Sequence, residues 1–183
     1  MVTIEVIDEI NEGNLFLRKV SKDDISFFYN SLKNNKEMTN FLSLGPLRSF
    51  EHWRRLIKNY LKSWDKYLQF NYVIELRDDK SKSRIGSASL WNISWFHNRS
   101  GVGIWILPEY WEKGLGKRVI QLVKIIAFNH LNLNRIEAQI AVKNERSIKM
   151  FKNSNFEEEG MLKKYLNIDG KFQNALILAC FKI

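Results

Sequence analysis

Residues 104–117 have the sequence Ile104-Trp-Ile-Leu-Pro-Glu-Tyr-Trp-Glu-Lys-Gly-Leu-Gly-Lys117. The apolar residues before Pro108 predict a strand, and the apolar spacing after Gly116 predicts a helix. The turn between them holds two glycines and two lysines. Glycine lets the backbone approach a ligand closely, and the first free N–H groups of a helix favour phosphate. The stretch therefore predicts an anion-binding turn.

Two common phosphate motifs fit this turn poorly. A nucleotide P-loop needs a glycine where Trp111 stands and a hydroxyl where Arg118 stands. A dinucleotide-binding fingerprint needs a third glycine at Val119, although Glu137 lies at a plausible distance for a ribose contact. The P-loop is thus excluded, and the dinucleotide site is weakly supported.

A third pattern fits better: a strand, a Gly-x-Gly turn, a helix, a second strand and an Asn-x-x-Ser helix start at Asn144. This order resembles the coenzyme A site of the GNAT acyltransferase superfamily. The resemblance covers residues 14–183 and is greatest to the RimJ/RimL-like branch, the ribosomal-protein N-terminal alanine acetyltransferases, and to the related spermidine acetyltransferases. The segments that carry it are Leu17-Arg18, Ser21–Asp24, Arg84–Ser89, Trp105–Gly116, Asn134–Glu137, Asn144–Ile148, Asn155–Gly160 and Ile168–Phe172.

The resemblance implies an α/β GNAT fold, with a central mixed, mostly antiparallel sheet, a splayed parallel strand pair and flanking helices. Residue patterns place helices at 21–32, at 50–64 and after Gly116. They place strands at 15–20, 72–77, 84–91, 101–107 and 136–142.

Length predicts one domain over residues 1–183, and the resemblance implies that it is an acetyltransferase domain. The single Cys180 lies in an apolar run, so we expect a buried, inert thiol and no internal disulfide. The first residues lack the pattern of a secretory signal, and no apolar run approaches membrane-spanning length. We therefore expect a cytoplasmic protein without a membrane partner.

The formal net charge of +9 allows three interpretations. A positive field could speed capture of the phosphates of coenzyme A, or it could attract an RNA-rich partner such as the ribosome. Because the lysines are spread along the chain, a basic surface with no special partner is equally compatible.

The resemblance also implies roles for the cofactor-binding residues. Where two strands diverge, their backbone groups lose partners, so Trp105, Ile106 and Leu107 would hydrogen-bond the pantetheine arm. The N–H groups of Lys113, Gly114, Leu115, Gly116 and Lys117 would hold the pyrophosphate, with the two ammonium groups adding charge. Taken alone, the Gly-Leu-Gly segment is equally compatible with an ordinary tight turn.

Asn144 and Ser147 allow two interpretations. As a bare motif, Asn followed by a helix is an N-cap that needs no ligand. In the family, the matching Asn contacts the pantetheine arm, and the matching Ser lies near the sulfur, so Ser147 is the candidate proton donor to the thiolate. Asn155 occupies a helix-ending position where the family usually has glycine, and Asn tolerates the left-handed conformation. No metal site is expected.

The general base is unassigned. The related enzymes often carry a glutamate where this chain has Gly101, and some carry an acidic residue where it has Leu166. A chain of water molecules that carries the amine proton to bulk solvent would also be compatible with these replacements. The remaining candidates are Glu75, Glu137, Tyr165 and His97.

We therefore expect an acetyl-CoA-dependent N-acetyltransferase that transfers the acetyl group directly to a primary amine, with a protein N-terminus as the expected acceptor. A polyamine or another small amine is the alternative acceptor, and polyamines, as cations, would need an acidic pocket. Two functions other than catalysis also remain open: a non-catalytic acyl-CoA sensor and a nucleic-acid-binding protein. The sequence leaves open whether the protein is a monomer or a homodimer.

Overall fold

A central sheet of eight strands organises the computed structural model, which describes residues 4–33, 35–42, 49–168 and 170–183. Asp169, part of the Ile168–Phe172 segment, lies outside the described residues. The strands are β1 Glu9–Glu12, β2 Leu15–Lys19, β3 Phe70–Arg77, β4 Lys82–Ser94, β5 Arg99–Ile106, β6 Arg135–Ala141, β7 Glu157–Ile168 and β8 Lys171–Phe181. The helices are α1 Ile25–Lys33, α2 Lys36–Thr39, α3 Phe50–Asp65, α4 Leu115–Ile125 and α5 Glu145–Lys152.

The strand order is β1-β2-β3-β4-β5-β6-β8-β7, and every neighbouring pair is antiparallel except β5 and β6. This parallel pair is short, because only Arg99–Gly101 lie opposite Arg135–Glu137. Beyond it, β5 stays paired with β4 as far as Ile106, and β6 stays paired with β8 as far as Ala141. The two strands therefore separate, which confirms the predicted α/β GNAT-type sheet with a splayed parallel pair.

Apolar layers cover both faces of the sheet. Tyr72 and Ile74 pack in the larger core with the buried face of α4, whereas Val73, between them on β3, packs in a second core with α1 and α3. Successive strand residues point to opposite faces, so a buried central strand needs apolar residues on both. The helices thus sit on opposite sides of the sheet.

The predicted elements are present, with shifted ends. The helix expected from Ser21 starts with a 3-10 turn, Lys22–Asp24, before α1. Its predicted capping box is confirmed, because the Ser21 hydroxyl accepts from the Asp23 N–H and the Asp24 carboxylate accepts from the Ser21 N–H. Four elements were not predicted, namely β1, α2, β7 and β8. The first two have too few residues to show a periodic pattern.

Several local expectations are also confirmed. Cys180 is buried, and Asn155 adopts the left-handed conformation with φ 61°. Within the described part of the chain, we find no helix that combines the length and the apolar character needed to cross a membrane.

A buried ion-pair network ties the first strands to the start of α1. Arg18 contacts the carboxylate of Asp24 at 2.7 Å and that of Glu75 at 2.7 Å, and Arg84 contacts Asp24 at 3.2 Å. Burial alone would raise the pKa of Asp24, but hydrogen bonds from Arg18 and from the Ser21 N–H outweigh it and keep the pKa below its ordinary value. The charged carboxylate therefore stabilises the folded state.

We expect Asp24→Asn to lower the free energy of unfolding at pH 7 by about 3 kcal/mol, because Arg18 and Arg84 would both lose a buried ionic partner and Arg18 would keep only Glu75. The stabilisation from Asp24 is present above its unfolded pKa of about 3.9 and is lost as the pH falls through the lower folded pKa. Urea denaturation should show the difference between wild type and variant shrinking below about pH 4.

Asp23→Asn is the matched control, since Asp23 is the exposed neighbour in the same turn. Its effect should stay within about 0.5 kcal/mol. Equal effects of the two substitutions, or a difference independent of pH, would contradict the role given to Asp24.

Candidate functional site

Two adjoining cavities lie where β5 and β6 separate. One, the turn cavity, has a volume of about 390 Å³ and is lined by residues of the 110–117 turn, α2 and α5. The other, the sheet cavity, has a volume of about 550 Å³ and is lined by residues of β3 to β6 and α3. The two cavities share Phe41, Leu42, Ile104, Trp105, Asn144 and Ser147. A molecule reaching from one cavity into the other must pass these side chains.

The turn cavity contains the predicted anion site. Gly114 has φ 74°, a conformation that a residue with a side chain rarely adopts, and a Cβ there would meet nothing within 4 Å. No side chain caps α4, so the N–H groups of Leu115, Gly116 and Lys117 in its first turn have no capping partner. The side chains of Lys117, Arg146 and Lys149 line the same cavity, so the donors and the positive charge coincide.

Gly116 is needed for a different reason from the one expected. A Cβ on Gly116 would collide with the sulfur of Met150 on α5. The absence of a side chain therefore lets α4 pack against α5, which carries Asn144 at its start. A side chain at Gly116 would therefore first displace the end of the Met150 side chain.

The backbone of β5 offers alternate groups to the gap. Along a strand, the N–H and C=O of one residue point to one neighbour and those of the next residue to the other. The Trp105 carbonyl lies against Gly86 of β4, and the Leu107 N–H donates to the Ile85 carbonyl at 2.8 Å. The groups that face the gap are therefore those of Ile104 and Ile106.

This alternation corrects part of the predicted contact set. Leu107 lines neither cavity, and its N–H is already bonded. Lys113 also lies outside both cavities, with its ammonium 5.3 Å from the centre of the Tyr110 ring. Trp105 lines the turn cavity, but its backbone groups point to β4, so its predicted backbone contact is corrected as well. The other predicted contacts line the turn cavity, namely Ile106, Gly114, Leu115, Gly116, Lys117, Asn144 and Ser147.

Asn144 and Ser147 sit at the junction of the two cavities. The Asn144 Oδ1 accepts from the Ser147 N–H at 3.2 Å, so Asn144 caps α5 as its position predicted. Both residues line both cavities. The cap and the ligand-contact interpretations are therefore compatible, because capping fixes Ser147 at the junction.

Trp111 and Arg146 were missed as site residues. The Trp111 indole N–H donates to the Ile106 carbonyl at 2.7 Å, which fixes the end of β5. The Arg146 guanidinium lies 3.0 Å from the centre of the Trp111 ring. Desolvation lowers the pKa of Arg146, while Glu37 and Glu112 act against this, and an arginine nevertheless keeps its charge. Arg146 and Trp111 lie 35 positions apart in the sequence, so their contact leaves no local sequence pattern from which it could have been predicted.

The sheet cavity is neutral. Among the described residues that line it, none is aspartate, glutamate, lysine, arginine or histidine. Burial raises the pKa of Tyr60, in its wall, to about 12, so this phenol stays uncharged. Its floor includes a row across three strands, in which Asn71 of β3 lies opposite Ser89 of β4, and Ser89 lies opposite Gly103 of β5. The cavity therefore offers amides, hydroxyls and aromatic rings.

The indole ring of Trp91 occupies the space beside Gly101, the position where the related enzymes often carry a glutamate. A Cβ on Gly101 would lie 2.5 Å from Cε2 of Trp91, so a larger side chain cannot fit while the indole stays in place. Leu166, at the other replaced position, lines the sheet cavity. Both replacements therefore bring apolar groups to this part of the protein.

None of the four candidate bases lines either cavity. Glu75 is paired with Arg18, and Glu137 with Arg135 at 3.0 Å. His97 lies in the turn before β5, at the end of that strand away from Ile106, and Tyr165 is about half exposed on β7. Among the described residues, the carboxylates that line the cavities are Glu37 and Glu112 of the turn cavity.

Comparisons with known proteins agree with this geometry. Residues 14–157 match the family model described as Acetyltransferase (GNAT) domain. The chain is 28% identical over 161 residues to an uncharacterised N-acetyltransferase, YoaA, of Bacillus subtilis (strain 168), covering 88% of this chain and 89% of that one. It is 29% identical over 162 residues to a spermidine N(1)-acetyltransferase of Vibrio cholerae serotype O1, covering 88% and 90%.

Solved structures with the same fold include two kinds of acetyltransferase. A spermidine N-acetyltransferase from Vibrio cholerae in complex with CoA and spermine superposes with a TM-score of 0.82 and 27% identity, covering 93% of this chain and 97% of that one. A ribosomal-protein-S5-alanine acetyltransferase from Vibrio fischeri gives a TM-score of 0.84 at 23% identity, covering 95% and 96%. The second likeness is one of fold alone.

We expect Gly114→Glu to weaken coenzyme A binding by at least about 100-fold, because it puts a carboxylate beside the predicted phosphate donors. Gly170→Glu is the matched control, since Gly170 has a similar φ of 77° and equally open surroundings. The left-handed backbone should cost each variant about 1 kcal/mol of stability. Calorimetric titration and thermal denaturation measure the two effects, and equal cofactor affinity in the two variants would contradict the site.

Proposed function

The chain belongs to the GNAT acetyltransferase family, so it is an N-acetyltransferase with acetyl-CoA as co-substrate, and we propose that its acceptor is the α-amine of a protein N-terminus. This acceptor would place it with the RimJ/RimL-like branch. The observation that carries the proposal is the sheet cavity, whose described lining residues carry no charge and which meets the turn cavity at Asn144 and Ser147.

The turn cavity suits coenzyme A. The uncapped N–H groups at the start of α4, with Lys117 and Arg146, supply donors and positive charge for its phosphates. Ile104 supplies its backbone groups in the gap for the amides of the pantetheine arm, and Ile106 supplies its N–H, since its carbonyl already accepts from Trp111. When bound, the cofactor supplies an activated acyl group as a thioester.

The proposed reaction is a direct transfer at the junction of the cavities. The acceptor amine enters from the sheet cavity, and its nitrogen lone pair forms the new N–C bond as the C–S bond breaks. One proton passes from the nitrogen to water, and the sulfur gains one proton through a serine hydroxyl that regains its own proton from water. Ser147, which lines both cavities, is the proposed donor to the departing sulfur. Asn144 holds Ser147 in position through its N–H.

The described residues that line the sheet cavity include no carboxylate, which favours an α-amine. An ammonium has no lone pair, so the acceptor must lose a proton before it attacks. An α-amine has a pKa of about 7.7–8.0 and is partly neutral at physiological pH, whereas an alkyl amine of the lysine type has a pKa of about 10.4. An acceptor that deprotonates in water needs no strong base in the protein, and a neutral cavity accepts it without a buried charge.

A polyamine is the second candidate acceptor. It is favoured by the 29% identity to a spermidine N(1)-acetyltransferase, and aromatic walls can attract a cation. The sheet cavity, however, has no acidic residue among its described lining residues. A polyamine would therefore bring several ammonium groups to a site that offers no charge to pair with them.

The charge of the chain fits an acceptor on an acidic particle. A net charge of +9 would attract the protein to an RNA-rich assembly such as the ribosome. We further propose that residues 1–183 form one acetyltransferase domain that acts in the cytoplasm, where acetyl-CoA and new protein N-termini occur together.

We expect purified protein to acetylate an alanine-initiated peptide at pH 7.5 with a kcat/KM at least about tenfold above that for spermidine, because only the peptide amine is substantially neutral there. For the peptide, kcat/KM should rise about tenfold per pH unit and level off near pH 8, the pKa of the amine. Steady-state kinetics from pH 6 to 10 measures both. A preference for spermidine would contradict the proposed acceptor, and a break at one pH for all amines would indicate a base in the enzyme.

A further inference from the structure

The sheet cavity extends from the junction across two further strands of the sheet. Its lining runs from Ile104 on β5 through Ser89 on β4 to Asn71 on β3. Neighbouring strands lie about 4.8 Å apart, so two spacings amount to about 10 Å. An extended peptide advances about 3.4 Å per residue. A peptide whose α-amine lies at the junction therefore places its first three residues inside this cavity.

Several lining residues of the sheet cavity are only partly buried, so they keep surface that an acceptor can contact. They provide aromatic rings and neutral polar groups and include Tyr60, Gln69, Ser89, Trp91, Trp105 and Gln139. None of the described lining residues has a charged side chain. An acceptor side chain in this cavity therefore meets rings, amides and hydroxyls.

The wall of the cavity is poorly solvated. Burial raises the pKa of Tyr60 to about 12, because a charged phenolate there would lose its water. The same penalty falls on a charged side chain that an acceptor places in this cavity, since the described lining offers no opposite charge. The faces of aromatic rings are negative, so they attract an ammonium group and repel a carboxylate. An acidic acceptor side chain is therefore the least favourable occupant.

We propose that the sheet cavity selects acceptor peptides by the charge of their first three side chains, an inference that rests on the proposed function. Uncharged side chains are accepted, lysine is accepted less well, and aspartate and glutamate are rejected. This selection concerns the side chains of the acceptor and is separate from the need for a neutral α-amine. The net charge of +9 acts in the opposite direction at long range, because it attracts acidic peptides.

The test moves one charge along an acceptor peptide. Four amidated peptides of eight residues begin with alanine and are otherwise uncharged. The first has glutamine at the second and seventh positions, the second and third have glutamate at one of these positions, and the fourth has lysine at the second position. Rates are measured at pH 9, above the α-amine pKa of about 7.7–8.0 and below the lysine pKa of about 10.4. Differences in α-amine pKa then have little effect, while the lysine stays charged.

We expect glutamate at the second position to lower kcat/KM at least about 30-fold relative to glutamine, because its charge enters the cavity without a partner. Lysine there should lower kcat/KM by about 3- to 10-fold, since ring faces offset part of the penalty. Glutamate at the seventh position should change kcat/KM by no more than about twofold, because it lies outside the cavity.

Ser89→Asp tests whether the cavity itself sets this selection. Ser89 lies one strand spacing from β5, near the expected second residue of the acceptor. Its replacement should raise the ratio of kcat/KM for the lysine peptide to that for the glutamine peptide at least about tenfold. Ser83→Asp is the matched control, since Ser83 lies on the same strand but outside both cavities. Thermal denaturation shows that each variant is folded, and the peptide series on wild type needs no variant.

Each contrary outcome has its own meaning. Equal kcat/KM for glutamine and glutamate at the second position would overturn the selection, and so would equal losses from glutamate at the second and seventh positions. An unchanged lysine-to-glutamine ratio in folded Ser89→Asp would overturn the role of the cavity. If wild type acetylates spermidine but none of the peptides, the proposed function fails, and the selection fails with it. If it acetylates all four peptides equally well, only the selection fails.

Discussion

The separation of β5 from β6 is the constraint on which the rest of the site depends. The strands pair only over Arg99–Gly101 and Arg135–Glu137 and are then held apart by their other neighbours, β4 and β8. Backbone groups left without a strand partner need another one, so the opening creates a binding groove within a stable sheet. The same opening joins the turn cavity to the sheet cavity at Asn144 and Ser147.

The sequence predicted the elements whose signals are local. The glycine turn at 114–116, the Ser21 capping box and the Asn144 cap depend on residues a few positions apart, and the structure contains all three. Pairings between distant segments could not be predicted in this way. The packing of Gly116 on Met150 and of Trp91 on Gly101 depends on tertiary contacts, and so does the use of the Leu107 N–H within the sheet.

The lost carboxylates become understandable from these tertiary contacts. Trp91 fills the space beside Gly101, and Leu166 lines the sheet cavity, so the acceptor region is apolar where relatives often carry acids. A buried acid would have to be paired or shift its pKa, whereas a neutral wall suits an amine that arrives deprotonated.

The central claim is that the acceptor is a protein N-terminus. The most direct measurement incubates the purified protein with cell extract and isotopically labelled acetyl-CoA and then locates the label. This account predicts label on the α-amines of protein N-termini, above a heat-killed control. Label confined to small amines, or no label above the control, would contradict it.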